Sequence, residues 1–591
     1  MKRTTALALS MLVSMSAFAA DPASPQATSK TTTKRKATSS SSVSAEIQQM
    51  KDALAAQQRQ IEELKQQVSQ RDQAIQQTQQ QLNQIQSSAA AAQAKADEAA
   101  AASAKVGEGT ATLEKDVTDL KANNTAAALE MQETQKRIAG VESPLAIHYK
   151  GVTITPGAFL AAETVWRQHA LFADINTPFN SLVFPGSGQY NTSEFFGSGR
   201  QSRLSFLVQG KLKSMNLTGY YEMDWLSAGV TSNNNESNSY TNRQRQLWGQ
   251  IATQSGWNIT GGQMWSLVTE TRKGLDNRTE ALPMTIDPQY TVGFSWARQY
   301  GFRVTKNFNN KFWLGASVEN PQVTFAAANA PTNFFFGAPG NASGLYNAFN
   351  GNYSANYLPD FIVKAAFEPG IGHYEVFGIV SNERARVYPA ATLATPSAAG
   401  AFNSNVTGGG IGANARFSAH KVVDFGLHFL GGNGIGRYGT SGLTDVTVHP
   451  DGTPALIRSY QGLATLEFHT KKWDVYFNGG EEYAGRNSYL SPAGKLVGYG
   501  VQSLAATGCF AEVVPGAGGF APGAAAACTV NTRAMFEGTG GFWYKLYNGD
   551  RGRIQFGPQY SYVKRMTWQG VGGSPTTDEN MFFTSFRYYL P

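Results

Sequence analysis

The sequence predicts an all-β transmembrane barrel of about 16 antiparallel strands, preceded by an N-terminal α-helical coiled coil. Three observations carry that expectation. Residues 199–306 form a succession of short alternating segments. In one of them Leu217, Gly219, Tyr221, Met223 and Trp225 share one parity, and Thr218, Tyr220, Glu222 and Asp224 share the other. A period of two puts the two sets on opposite faces of a strand, one apolar and one polar. Second, the connections between such segments alternate strictly between short and long, as the turns and outer loops of membrane barrels do. Third, only 15% of the 591 residues are charged, 12% are aromatic and 61 are glycine. That balance suits turns and interfacial aromatic girdles better than a soluble enzyme. Mean hydropathy is −0.30, and beyond the N-terminus no apolar run reaches the ~20 residues of a membrane helix. Strands can still cross lipid, because a closed barrel satisfies every backbone hydrogen bond between neighbours.

At the N-terminus, Lys2 and Arg3 precede an apolar segment from Ala6 to Ala17, followed by Ala17-Phe18-Ala19. This is the pattern of a secretory signal over residues 1–20, with cleavage near Ala19 or Ala20. Residues 21–42 are rich in Ser, Thr and Lys without apolar pattern, and read as a flexible linker. Residues 43–141 follow a heptad. Position a reads Ile47, Leu54, Ile61, Val68, Ile75, Leu82 and Ala89; position d is interrupted by Gln57, Arg71 and Thr78. A sustained heptad implies a left-handed coiled coil. A trimer is the expected assembly, by analogy with other wide barrels. The rod would project into the periplasm, where it could set stoichiometry or reach the cell wall.

Beyond Pro144, residues 146–591 read as the barrel domain. Strands are expected near 156–168, 200–210, 215–226, 241–253, 256–265, 297–306, 311–320 and 358–368. They continue near 371–383, 406–418, 421–431, 456–469, 472–484, 534–546, 550–565 and 579–590. The long connections fall at 169–199, 227–240, 266–296, 321–357, 384–405, 432–455, 485–533 and 566–578. The last strand places Phe582, Phe586, Tyr588 and Leu590 on one face, as a terminal barrel strand should.

The order of signal, coiled coil and barrel resembles the DcaP-like trimeric outer-membrane porins. Gly199-Arg-Gln-Ser-Arg-Leu-Ser-Phe206, Gly262-Gln-Met-Trp-Ser266 and Arg298-Gln-Tyr-Gly-Phe-Arg-Val304 are similar to that family's early-strand motifs. The chain departs from the usual terminal Phe by ending in Leu590-Pro591. The resemblance implies a homotrimer in a bacterial outer membrane, forming a passive channel biased toward small anions such as dicarboxylates. A sugar-selective porin and a structural tether between outer membrane and cell wall are the alternatives.

Candidate selectivity residues follow from parity. Leu204, Phe206 and Val208 face lipid, so Gln201, Arg203 and Ser205 face the lumen; by the same count Gln299 and Arg303 are lumenal. Arg243 and Arg245 share parity with Leu247 and Ile251, which turns them outward unless a bulge re-aims them. Arg200 and Arg298 stand at strand ends with the same ambiguity. A lumenal arginine cluster would bind carboxylate or phosphate through its planar donor fork; its members could equally pair with Glu222, Asp224 and other wall acids. The 266–296 connection carries Glu270, Arg272, Lys273, Asp276, Arg278, Glu280 and Asp287. It is the best candidate for a loop folded inward as a constriction, against the alternative of an ordinary outer loop. The formal net charge of +7 favours anionic solutes if the basic residues line the pore, and nothing if they sit on outer loops or the linker. Tryptophans near strand ends, including Trp166, Trp248, Trp257, Trp313, Trp473 and Trp543, read as girdle, with a lumenal sugar track as the alternative.

Cys509 and Cys528, the only cysteines, lie in one long connection of an exported protein, so a disulfide is expected. No CxxC, HExxH, GxSxG or P-loop pattern occurs. The chain is therefore read as no enzyme, with no cofactor and no metal. Expected partners are further copies of the chain, outer-membrane lipid and small anions; nothing points to nucleic acid.

Overall fold

The computed structural model describes residue 95, which is helical, and residues 146–226, 240–337, 354–512 and 528–591. The expected signal and linker lie outside the described residues, as does the coiled coil apart from Lys95. The chain divides into two compact units, Met1–Gln132 and Glu133–Pro591. The second is the barrel.

Sixteen long strands build it: β1 (Val152–Arg167), β2 (Arg203–Leu212), β3 (Met215–Asp224), β4 (Arg243–Thr253), β5 (Trp257–Trp265), β6 (Arg298–Phe308), β7 (Phe312–Glu319) and β8 (Asp360–Gly370) form the first half. The second half is β9 (Gly372–Val387), β10 (Phe402–His420), β11 (Val423–Asn433), β12 (Arg458–His469), β13 (Trp473–Ala484), β14 (Thr532–Gly549), β15 (Gly552–Thr567) and β16 (Thr576–Tyr589). Each pairs antiparallel with its sequence neighbour, and β1 closes the ring by pairing with both β2 and β16. Short strands at Ile147–Tyr149, Glu194–Ser198 and Phe334–Phe335 extend the same sheet. Closure is required energetically, since an open edge in lipid leaves backbone groups unsatisfied at several kcal/mol each.

Every expected strand is present. Alternation sorts their faces as anticipated: Leu160, Phe206, Leu247, Phe302, Phe361, Leu427, Phe477 and Phe582 are exposed on the outer surface. The turns use residues that tolerate positive φ, such as Asn309 and Asn310 between β6 and β7 (both φ 56°). One connection is shorter than expected. β9 and β10 stay paired up to Val387↔Phe402, so much of the 384–405 segment is strand. Its alternation had lost its apolar member, through pairs such as Arg386↔Asn403, and so resembled a loop. Backbone pairing continues regardless of side-chain polarity once the strands leave the lipid.

Inside, the barrel holds an apolar cluster. Wall residues Val165, Tyr476, Met535, Trp543, Val563 and Phe583 pack against Ile175, Phe179 and Leu182 from the β1–β2 connection and Ile286 and Val292 from the β5–β6 connection. Part of the polar wall is thus covered by inward-folded loops.

Candidate functional site

The β5–β6 connection, residues 266–297, folds into the lumen. Its outgoing leg meets one wall. Leu267 N–H donates to Glu319 on β7 (2.8 Å), and Gly274 N–H donates to Glu368 on β8 (2.7 Å). Thr271 donates through its N–H and its hydroxyl to Glu375 on β9 (3.1 and 2.6 Å). The returning leg meets the other wall: Ile286 N–H donates to Gln559 on β15 (2.7 Å), Val292 N–H to Glu537 on β14 (2.7 Å), and Gly293 N–H to Glu482 on β13 (2.9 Å). β7 and β15 stand half a ring apart, so the loop crosses the lumen instead of following one side. Cationic and indole groups of the wall hold its carbonyls. Lys364 Nζ donates to Thr269 O (2.8 Å), Trp543 Nε1 to Met284 O (2.8 Å), and Arg587 to Ile286 O (2.5 Å). A hydrogen bond to a charged partner contributes about 1.5–3 kcal/mol, so the set fixes the loop firmly. Contact is close enough to demand glycine: a Cβ on Gly480 would strike the Val292 carbonyl, and one on Gly293 (φ +86°) the Gly462 carbonyl.

Of the charges expected on this loop, Glu270 and Asp287 are buried, Glu280 is half-buried, and Arg272, Lys273, Asp276 and Arg278 are exposed. Glu270 pairs with Arg416 of β10 at 3.0 Å. Asp276 accepts from Asn258 (2.9 Å), and Glu280 accepts the Arg278 N–H (3.2 Å). The Arg278 guanidinium lies 4.9 Å over the Tyr220 ring. Asp287 has one oxygen without a hydrogen-bond partner. Burial, reinforced by the nearby Glu163 carboxylate, pushes its carboxyl up to about 7.

On the wall of β2–β6, arginines gather around two acids of β3. Arg245 donates to Glu222 (2.7 Å) and to Asp224 (2.7 Å). Arg243 forks onto both oxygens of Asp224 (2.9 and 2.8 Å). Arg203 stands 3.6 Å from Glu222. Arg298 stacks over Trp265 and Trp296 (5.2 and 5.5 Å) within electrostatic reach of the same group. Among the described residues no carboxylate pairs with it. Four guanidinium groups thus face two carboxylates, an excess of two positive charges. Arg243 and Arg245 point inward because the β3–β4 ladder slips. Glu222 pairs with Gln246 and Met223 with Gln244, leaving Arg245 as the extra residue of a bulge. Parity alone had turned both outward, where an arginine costs about 2–4 kcal/mol at mid-bilayer.

The remaining candidates fall elsewhere. Arg200 pairs with Asp174 (2.8 Å) and donates to Trp225 O (2.9 Å). Arg303 is lumenal but buried under the loop, donating to Asn277 Oδ1 (2.9 Å) and to the Trp265 carbonyl. Gln299 is half-buried opposite Met264. Trp166, Trp257 and Trp473 are exposed on the outside, as a girdle requires, whereas Trp248, Trp313 and Trp543 are buried. Cys509 and Cys528 form a disulfide, with Cα atoms 5.0 Å apart. Sequence reasoning missed the anchoring acids Glu319, Glu368, Glu375, Glu482 and Glu537. Their signal was acidic residues recurring at polar-face positions of strands far from the arginines.

The sequence matches no protein-family model and no curated protein. In fold, the chain is similar to the outer membrane channel DcaP of Acinetobacter baumannii, at 13% identity over 75% of this chain and 99% of that one, with a TM-score of 0.49. It is also similar to an anion-selective porin from Comamonas acidovorans (8% identity, 74% and 100% of the two chains, TM-score 0.40). A third is OmpF of Salmonella typhi in complex with daunomycin (9%, 75% and 100%, 0.37). At these scores the barrel rests on the chain's own strand pairing.

Proposed function

We propose that the protein is an outer-membrane porin, a passive diffusion channel biased toward small anionic solutes. The observation that carries this reading is the group formed by Arg203, Arg243, Arg245 and Arg298, whose four positive charges outnumber the two carboxylates beside them. Charged side chains at a narrowed section of a pore set its ion preference, and the crossing loop supplies the narrowing. Guanidinium groups present paired donors matched to carboxylate and phosphate oxygens. The burial of Trp248, Trp313 and Trp543 favours this reading over an aromatic sugar track. Homotrimeric assembly, an outward position for the long loops and a periplasmic coiled-coil rod belong to the same proposal.

The test is the reversal potential of the purified protein in planar bilayers under a salt gradient. Anion selectivity is expected, and Arg203→Ala and Arg298→Ala should each move the reversal potential toward the cation side. A cation-selective parent channel would overturn the proposal.

A further inference from the structure

Where β11 and β12 pair at the short-turn end of the barrel, three potential metal ligands converge. Asp424 stands near the start of β11; Glu467 and His469 end β12. Their donor atoms all lie within 4.8 Å of one another. His469 Nε2 is 3.5 Å from Asp424 Oδ2 and 3.4 Å from Glu467 Oε2. These separations exceed the 2.7–3.2 Å of ordinary hydrogen bonds. They match the ~3.3 Å edge of a tetrahedron with bonds of about 2.0–2.1 Å, the length of Zn–N and Zn–O bonds. Glu467 is 0% exposed, and its Oε1 is buried with no hydrogen-bond partner, as is His469 Nε2. The other ring nitrogen, Nδ1, lies 3.1 Å from Asp474 Oδ1. A carboxylate there fixes the tautomer that leaves Nε2 free, the usual support of a metal-binding histidine.

A second histidine shows that this spacing is particular. His373 has Nδ1 3.0 Å from Glu368 and Nε2 3.0 Å from Glu375, so both nitrogens are engaged in ordinary hydrogen bonds.

We propose that Asp424, Glu467 and His469 form a binding site for a borderline divalent transition-metal cation such as Zn²⁺, with water completing the coordination. One imidazole and two carboxylates are a donor set such ions accept. Arg416 (3.2 Å) and Arg272 (3.9 Å) share Glu467 with the site and keep its affinity below that of an all-anionic cage. Arg416 also pairs with Glu270 of the crossing loop, so metal and loop compete for the same cation–carboxylate network.

The experiment is equilibrium Zn²⁺ binding to the full-length protein purified without a histidine tag, read by calorimetry and by elemental analysis after dialysis. One Zn²⁺ per chain is expected. His469→Ala and Asp424→Asn should each weaken binding by at least about tenfold while keeping the heat-modifiable mobility of a folded barrel. Asp424→Asn alone decides the matter if His469→Ala fails to assemble. His420→Ala, at the exposed end of β10, should leave binding unchanged. No binding by the parent protein, undiminished binding by the folded variants, or loss of binding in His420→Ala would each overturn the site.

Discussion

At the scale of single residues, the arginines divide by what they touch. Arg245 is nearly fully buried and holds Glu222 and Asp224 together. Removing it takes one charged partner from each of two buried acids, leaving Glu222 to Arg203 and Asp224 to Arg243, and breaking such a network costs up to about 3–5 kcal/mol. Arg245→Ala should therefore lower the temperature at which the barrel loses its heat-modifiable mobility. Arg298, stacked on Trp265 and Trp296 with no carboxylate paired to it among the described residues, should change ion selectivity at much smaller cost to stability. Equal losses of stability in the two variants would contradict that division. Asp287 gives a pH dependence. Burial and Glu163 raise its carboxyl from the ordinary 3.8 to about 7. The docked loop therefore binds a proton that the undocked loop gives up above 3.8. Docking is strongest in acid and weakens as pH rises through about 7. Conductance should increase between about pH 4 and pH 7 in the wild type and level off above it, and Asp287→Asn should flatten the profile.

At the scale of elements, the decisive one is the 266–297 loop. It is held by carboxylates and an amide receiving its backbone N–H groups from opposite walls, and by glycines that let backbones touch. Gly480→Val puts a side chain where the Val292 carbonyl lies; overpacking of this kind costs about 1–3 kcal/mol. The expected outcome is a displaced returning leg, seen as larger single-channel conductance and faster proteolysis within 266–297, with the barrel still folded. Unchanged conductance would show that this contact does not control the opening. The β3–β4 bulge is the second informative element. The alternation of Leu217–Trp225 and of Leu247–Ile251 could be read directly, because a strand's period is local. The slip between them could not, because a bulge depends on the register of two strands.

At the scale of the whole molecule, the sixteen-strand ring closes through β1 and β16 without any residue before 146. A chain lacking residues 43–141 should form the same heat-modifiable barrel with the same reversal potential. Loss of trimers on cross-linking would assign the coiled coil to assembly. Envelope failure with solute uptake intact would assign it to tethering.

The strand count, the lipid-facing residues and the alternation of short and long connections were readable from the chain in order. Each rests on a period of two or on composition between neighbouring segments. Tertiary structure alone decided that Arg243 and Arg245 face inward while Arg303 lies beneath the loop. It alone brought Glu319 and Gln559 to opposite ends of that loop, and Asp424 beside His469. These relations join residues far apart in sequence through ring closure and strand register, which no local period encodes.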